Sequence, residues 1–283
     1  MPLPGAKLYL RIHGQGRPLV ILHGGPDFDH TYLLPELDGL ARVARLIYYD
    51  QRGRGRSSAG VAPTDVTIES ETQDLERLRE HLGLDQIALL GHSWGAVLAM
   101  EYAARHPHRV THLALLNMAP GSHADRRLFG QRREATEAEA LAKMLAIRQT
   151  PGWETGDIAT EAAYYHEHFR ATLRRPGDLE RIVSRLRVHF TPAQILTARA
   201  IEDRLYEQTW NRPGYDVMAR LRGLAAPTLV LHGDYDLMPA ECARHAAEAI
   251  RGARFALLKD CGHFAYLERP AEVFSEVGAL LAP

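Results

Sequence analysis

Residues 87–99 read Ile87-Ala88-Leu89-Leu90-Gly91-His92-Ser93-Trp94-Gly95-Ala96-Val97-Leu98-Ala99. An apolar run stops at Gly-x-Ser-x-Gly, and a helical pattern of small residues follows at once. Strand, tight turn and helix form the context in which this motif makes a nucleophile elbow. The turn is expected to hold Ser93 in a strained conformation, with its hydroxyl above the sheet edge. Gly91 and Gly95 are expected where strand and helix nearly touch, since a side chain would collide there. The hydroxyl then stands at a helix N-terminus, where the dipole and free N–H groups favour developing negative charge.

Outward from this stretch, short apolar runs recur at Leu8 to Gly14, Leu19 to Gly24, Arg45 to Asp50, Leu113 to Asn117, Thr228 to Asp234 and Phe255 to Leu258. From Leu19 onward they are nearly continuous in Val, Ile and Leu, as strands buried on both faces must be. Helical patterns lie between them, over Glu71 to Leu82, Gly95 to Arg105, Pro239 to Ile250 and Pro270 to Leu281. This alternation implies a parallel α/β sheet with helices on both faces. Between about Ala119 and Leu224 no strand pattern is visible, and the segment reads as four or so helices. The clearest is expected over Asp178 to Phe190, with Leu179, Ile182, Val183, Leu186 and Phe190 on one face. Another should open at Thr191-Pro192, an N-cap followed by proline at the first helical position, and run to about Trp210. The expected organisation is therefore a core domain of residues 1–118 and 225–283, interrupted by a helical cap of residues 119–224. The cap should cover the C-terminal edge of the sheet, where such sheets bind ligands.

The bulk properties narrow the function. A formal net charge of -1 over 283 residues offers no long-range field for nucleic acid or an acidic membrane surface. Cys242 and Cys261 make neither a disulfide framework nor a metal-ligand spacing. The opening Met1-Pro2-Leu3-Pro4-Gly5-Ala6-Lys7 lacks the basic region and apolar core of a signal peptide, and no apolar run reaches the length of a membrane span. A soluble cytoplasmic protein with no cofactor and no metal is expected.

Serine is a poor nucleophile unless a base takes its proton. Lys259-Asp260-Cys261-Gly262-His263-Phe264 follows the last expected strand and puts His263 in a loop at a strand's C-terminal end. A third group must hold the imidazole tautomer. Two aspartates, Asp234 and Asp236, lie just past the strand of Leu229-Val230-Leu231-His232. Asp236 is preferred, and Asp234 reads as a turn residue binding its own backbone. The order Ser93, Asp236, His263 is that of α/β hydrolases. The oxyanion donors should be the backbone N–H groups of Trp94, which follows the nucleophile, and Gly25, in the early loop His23-Gly24-Gly25-Pro26. His23 reads as structural. The glycine-rich segment Tyr49 to Ser57 lacks the phosphate-loop spacing and reads as a structural loop. In Tyr164-Tyr165-His166-Glu167-His168 the two histidines are two apart, so a helix would turn them to different faces and no metal site is expected.

Together, Gly91-His92-Ser93-Trp94-Gly95, His23-Gly24-Gly25-Pro26 and Asp50-Gln51-Arg52-Gly53-x-Gly-x-Ser57 resemble the proline iminopeptidase family of α/β hydrolases. The segment around Tyr165 to His168 also resembles the lid of the archaeal, tricorn-associated branch. The resemblance implies an α/β-hydrolase fold with an inserted cap, and release of N-terminal residues from short peptides. Two positions depart from it. Asp27 stands where the family continues its oxyanion loop with glycine. Leu237 stands where the tricorn-associated branch has an acid that binds the substrate's ammonium. Glu207 and Glu202, in the cap, are the remaining candidates for that anchor. Glu207 is preferred, because one helix face can present Asp203 and Glu207 while Glu202 turns partly away. Three readings are carried forward: an aminopeptidase, a carboxylesterase with the same machinery, and a slow-turnover small-molecule receptor. Dehalogenases and epoxide hydrolases of this fold place an aspartate at the elbow, so Ser93 argues against both.

Overall fold

The computed structural model describes residues 1–282. A short antiparallel hairpin, β1 (Pro2–Leu3) and β2 (Ala6–Lys7), turns at Gly5 and precedes the main sheet. Seven strands then build that sheet: β3 (Leu10–His13), β4 (Pro18–Leu22), β5 (Arg45–Tyr49), β6 (Ile87–His92), β7 (Val110–Leu116), β8 (Thr228–Gly233) and β9 (Arg254–Leu258). Across the sheet their order is β3-β5-β4-β6-β7-β8-β9. All neighbours are parallel except β3, which runs antiparallel to β5 with Leu10 opposite Tyr49. The α/β-hydrolase sheet expected from the sequence is mostly parallel, and this edge strand is its exception. Only Gly14-Gln15-Gly16-Arg17 separates β3 from β4, too short for a crossover helix, so the chain must reverse.

The inner strands β4 to β8 bury both faces, and alternate residues feed two cores. Val20, Leu22, Ile47, Leu89, Leu115 and Val230 point to one side, against α1 (Ile68–His81), α2 (Trp94–Arg105) and the later helix of Ala240–Ala249. Leu19, Ile21, Leu46, Leu90, Leu116 and Leu231 point to the other, against the C-terminal helix of Pro270–Leu281. Thr67 caps α1 through its hydroxyl on Ser70 N–H, and Gly83 follows its end with φ +66°.

Between β7 and β8 the chain is helical: α3 (His123–Thr136), α4 (Ala138–Arg148), α5 (Pro151–Thr155), α6 (Ile158–Phe169), α7 (Leu179–Val183) and α8 (Pro192–Gln208). Thr191 caps α8 with Gln194 in a reciprocal box, as Thr191-Pro192 suggested. The expected helix over Asp178 to Phe190 shortens to α7. Arg187 lies beyond it at φ +58°, a left-handed conformation that no helix continues through. Its buried guanidinium is instead paired with Asp27 and Glu161. The apolar periodicity is real, since Leu179, Ile182, Val183 and Leu186 are buried in one cluster, but a charged tertiary contact decides where the helix stops.

Chain connectivity reverses direction between β4 and β6. The loops after these two strands therefore open on the same crevice at the C-terminal edge of the sheet. The approach there is tight. A Cβ on Gly95 would fall inside van der Waals contact with the Leu22 carbonyl, and one on Gly91 would meet the Gly95 carbonyl. Both obstacles are backbone, so neither can rotate aside. Gly95→Ala is expected to destabilise the fold by about 1–3 kcal/mol, lowering the thermal midpoint by several degrees. A melting curve superimposable on the parent would show that β4 and α2 are free to separate.

Candidate active site

Ser93 joins β6 to α2 at φ 56° and ψ -121°, a conformation that strains any residue with a Cβ. Its own backbone secures it: Ser93 N–H donates to the Leu116 carbonyl at 3.1 Å, and its carbonyl accepts from Ala96 N–H at 3.0 Å and Ala119 N–H at 3.1 Å. The turn is thus tied to the neighbouring strand β7 as well as to α2. Ser93 is 9% exposed and lines a cavity of about 650 Å³.

His263 lines the same cavity, on the loop after β9. Its Nδ1–H donates to Asp236, at 2.9 Å from Oδ1 and 3.1 Å from Oδ2, which leaves Nε2 as the basic nitrogen. Asp236 lies just past β8, 2% exposed. Burial alone would raise its carboxyl. The neighbouring His263 and His232 and the hydrogen bonds from His263 Nδ1 and Met238 N–H outweigh burial and hold it at about 2. Asp234 is exposed and bonds Cys261 N–H at 3.3 Å, so it braces the β9 loop rather than its own turn.

Further residues hold this pair, and no local motif announced them. Asn117, at the end of β7 with φ 44°, donates from Nδ2 to Asp236 Oδ2 at 2.9 Å and to the Gly262 carbonyl at 3.0 Å. One amide therefore ties the acid to the histidine loop. The buried carboxylate of Glu268 accepts from Gly262 N–H at 2.6 Å on one oxygen, and from Arg174 N–H at 2.6 Å on the other. His263 N–H donates to the Thr172 carbonyl at 2.8 Å. The loop is thereby bound to residues 172–174, which follow α6. Asn117 does close an apolar run in the sequence, which is a weak signal. Glu268 has none, because the segment that it ties to the loop, at Arg174, lies far along the chain.

Gly25 lines the cavity beside Ser93. The N–H of Gly24 is occupied, donating to Tyr32 Oη at 2.8 Å, so Gly25 is the better placed donor of the two. Trp94 is the first residue of α2, and its N–H is one of those a helix start leaves without an intrahelical acceptor. His23 bonds at both ring nitrogens: Nδ1–H donates to the Gly24 carbonyl at 2.9 Å, and Nε2 accepts from Gln51 N–H at 3.1 Å. Burial first, and then the charge of Arg54, lower its pKa to about 3, so it remains neutral beneath the loop. Two arginines of the segment 50–57 tie it to α1. Arg52 forks onto Asp74 at 2.7 and 2.6 Å, and Arg54 pairs with the buried Glu71.

The helices of residues 123–208 wall the cavity opposite Ser93. Tyr164, Tyr165 and His168 of α6 line it, whereas His166 faces solvent, so the two histidines do point apart. Asp27, the departure in the oxyanion loop, accepts from Tyr165 Oη at 2.6 Å and pairs with Arg187, which also meets Glu161 at 2.6 Å. Asp27 is thus a buried tie between the loop and the helices above it.

The order of the two α8 glutamates reverses the expectation. Glu207 is exposed and is absent from the cavity lining, while Glu202 is part of it. Ile195, Ala198, Ile201 and Leu205 are the buried face of α8, and they set its rotation. Glu202 and Tyr206 then flank that face toward the cavity. Asp203 reaches the rim, and Glu207 continues outward. Tyr206 Oη donates to Glu202 at 2.6 Å. Burial raises the Glu202 carboxyl above the ordinary carboxylate range, with the Tyr206 hydrogen bond and the charge of Arg187 opposing. Leu237, beside Asp236, contributes an apolar wall 4% exposed.

Residues 17–270 match the alpha/beta hydrolase fold family. The chain is 32% identical to a proline iminopeptidase of Lactobacillus delbrueckii subsp. bulgaricus, over 96% of this chain and 93% of that one. It is 28% identical to one from Saccharolobus solfataricus, over 97% and 89%. A solved proline iminopeptidase from Mycobacterium smegmatis superposes with a TM-score of 0.72 at 25% identity, covering 99% of this chain and 96% of that one. An enol-lactonase from Burkholderia xenovorans LB400 superposes at 0.69 with 25% identity, covering 98% and 97%. Among the described residues, no helix is long and apolar enough to cross a membrane.

Proposed function

This chain is a hydrolase of the α/β-hydrolase family with proline iminopeptidases among its relatives, and from that premise we propose that it is a serine aminopeptidase releasing an N-terminal residue, proline foremost, from short peptides. Ser93 Oγ attacks the first peptide carbonyl, while His263 Nε2 accepts the hydroxyl proton. Asp236 stabilises the imidazolium, and the N–H groups of Gly25 and Trp94 receive the oxyanion. His263 then returns the proton to the leaving amine, and water hydrolyses the acyl-enzyme by the same route. The helices over the cavity limit the substrate to a short chain.

The observation that carries the peptidase reading is Glu202. A substrate ammonium taken into this cavity must meet a carboxylate or bear a large desolvation cost. Glu202 offers that carboxylate from the cavity wall, already hydrogen-bonded to Tyr206. Glu202→Gln is expected to lower kcat/KM for a proline arylamide by about ten- to a hundred-fold, mostly through KM, since a hydrogen bond to a charged group contributes about 1.5–3 kcal/mol. Hydrolysis of an uncharged acetate ester should change far less. An equal loss on both substrates would make Glu202 a structural residue.

Leu237 favours a second reading, a carboxylesterase acting on uncharged acyl groups, because the wall next to Asp236 is apolar. Rates on proline and alanine arylamides against short acyl esters separate the two. Ready ester cleavage with no amide cleavage would leave the esterase standing.

A further inference from the structure

Four arginines of the helical wall reach the cavity, and three of them are accounted for. Arg133 is paired with Glu137 at 3.0 Å, and Arg199 lies 3.5 Å from Glu161. Arg148 is exposed at the mouth, where water screens its charge. Arg126 differs. It is half-buried on α3, and among the described residues no carboxylate lies within ion-pair distance of it. It lies against two rings, with its guanidinium carbon 5.3 Å from the centroid of Phe129 and 5.5 Å from that of Trp210. Aromatic faces fix the plane of a guanidinium and leave its in-plane N–H groups free, the geometry that takes a carboxylate in two parallel hydrogen bonds.

Trp210 stands edge-on to Trp94 with centroids 5.2 Å apart, and its Nε1–H is anchored on the Pro120 carbonyl at 2.7 Å. Arg126 is therefore separated by one fixed indole, that of Trp210, from the ring of Trp94, the residue that follows Ser93. Those two contacts, 5.5 Å and 5.2 Å, keep Arg126 near the turn at Ser93, and at about 3.3–3.6 Å per extended residue a short peptide spans that scale. Burial without a counter-charge also lowers the guanidinium's pKa, which an incoming anion would relieve.

We propose that Arg126 binds the free C-terminal carboxylate of the substrate, making di- and tripeptide acids the preferred substrate class. This rests on the aminopeptidase reading and adds a second anchor to it: Glu202 takes the ammonium and Arg126 the carboxylate. The arrangement measures the length of the peptide and discriminates against chains whose C-terminus is blocked or distant.

The test compares kcat/KM for prolylalanine with that for prolylalanine amide, in the parent and in Arg126→Met and Arg126→Lys. Methionine keeps an unbranched apolar stem against the two rings. The parent should favour the acid by about ten-fold or more, a charge-assisted pair being the difference. Arg126→Met should bring that ratio close to one, and Arg126→Lys should restore part of it. A parent ratio near one, or a ratio unchanged in Arg126→Met, would overturn the proposal, and the parent ratio stands even if a variant fails to fold. If neither peptide is cleaved, the aminopeptidase reading falls, and the same ratio is read on a p-nitrophenyl hemisuccinate against p-nitrophenyl butyrate. An Arg126-dependent preference for the hemisuccinate would keep the carboxylate site on an esterase, and its absence would remove it.

Discussion

Ser93→Ala is expected to lower turnover of arylamide and ester alike by at least about a thousand-fold, since the residues of such a site act as one unit. The protein should remain folded. Among the described residues the hydroxyl caps no N–H of α2, and the turn is fixed by the backbone contacts of Ser93 with Leu116, Ala96 and Ala119. The substitution also retains the Cβ, so the strain at φ 56° is unchanged. A circular dichroism spectrum and melting midpoint close to the parent, with turnover gone, would separate chemistry from folding. Near-parent activity in a preparation free of contaminating hydrolase would remove Ser93 from the mechanism.

Asp236→Asn should cost on the order of 10⁴ in kcat, the scale seen when a triad acid becomes an amide. The local hydrogen bonds say why. Asn117 Nδ2, Met238 N–H and His263 Nδ1 all donate to the two carboxylate oxygens. An amide has one oxygen and one NH₂ group, so at least one donor must face another donor. Because Asn117 and Met238 are held elsewhere in the fold, the imidazole is the partner free to yield, by turning or by changing tautomer. Either moves basic Nε2 from the place in which the proposed mechanism has it serve Ser93. Asp234→Asn, at an exposed brace, should leave kcat within a few-fold. The reverse ranking would move the acid to Asp234. The same substitution should alter the acid limb of stability. With its pKa depressed from 3.8 to about 2 in the folded state, Asp236 contributes stability above pH 4. That contribution is lost as the pH falls through 2. The asparagine variant lacks it and should unfold in acid with a shallower dependence on pH over that interval.

Where sequence and structure agree, the signal is local. The strands from β4 to β8 announce themselves as apolar runs because burial on both faces leaves little polar option. The turn at Ser93 is marked by Gly91 and Gly95, whose backbone neighbours exclude any side chain. Thr191 and Pro192 start α8 with groups that act within one helical turn. The antiparallel β3 could have been inferred from its four-residue link to β4.

What tertiary structure alone decided are choices between residues with equal local credentials. Glu202 and Glu207 lie on one helix, and spacing allowed either to face the substrate. The burial of Ile195, Ala198, Ile201 and Leu205 turned α8 so that Glu202 looks inward. Leu179 to Phe190 has helical periodicity, yet the pairing of Arg187 with Asp27 and Glu161 ends the helix early. Asn117 bonds Asp236, 119 positions away, and Glu268 bonds Arg174, 94 positions away. Periodicity and capping act over a few residues, whereas these contacts depend on which surfaces the sheet brings together, so only the folded chain could choose among them.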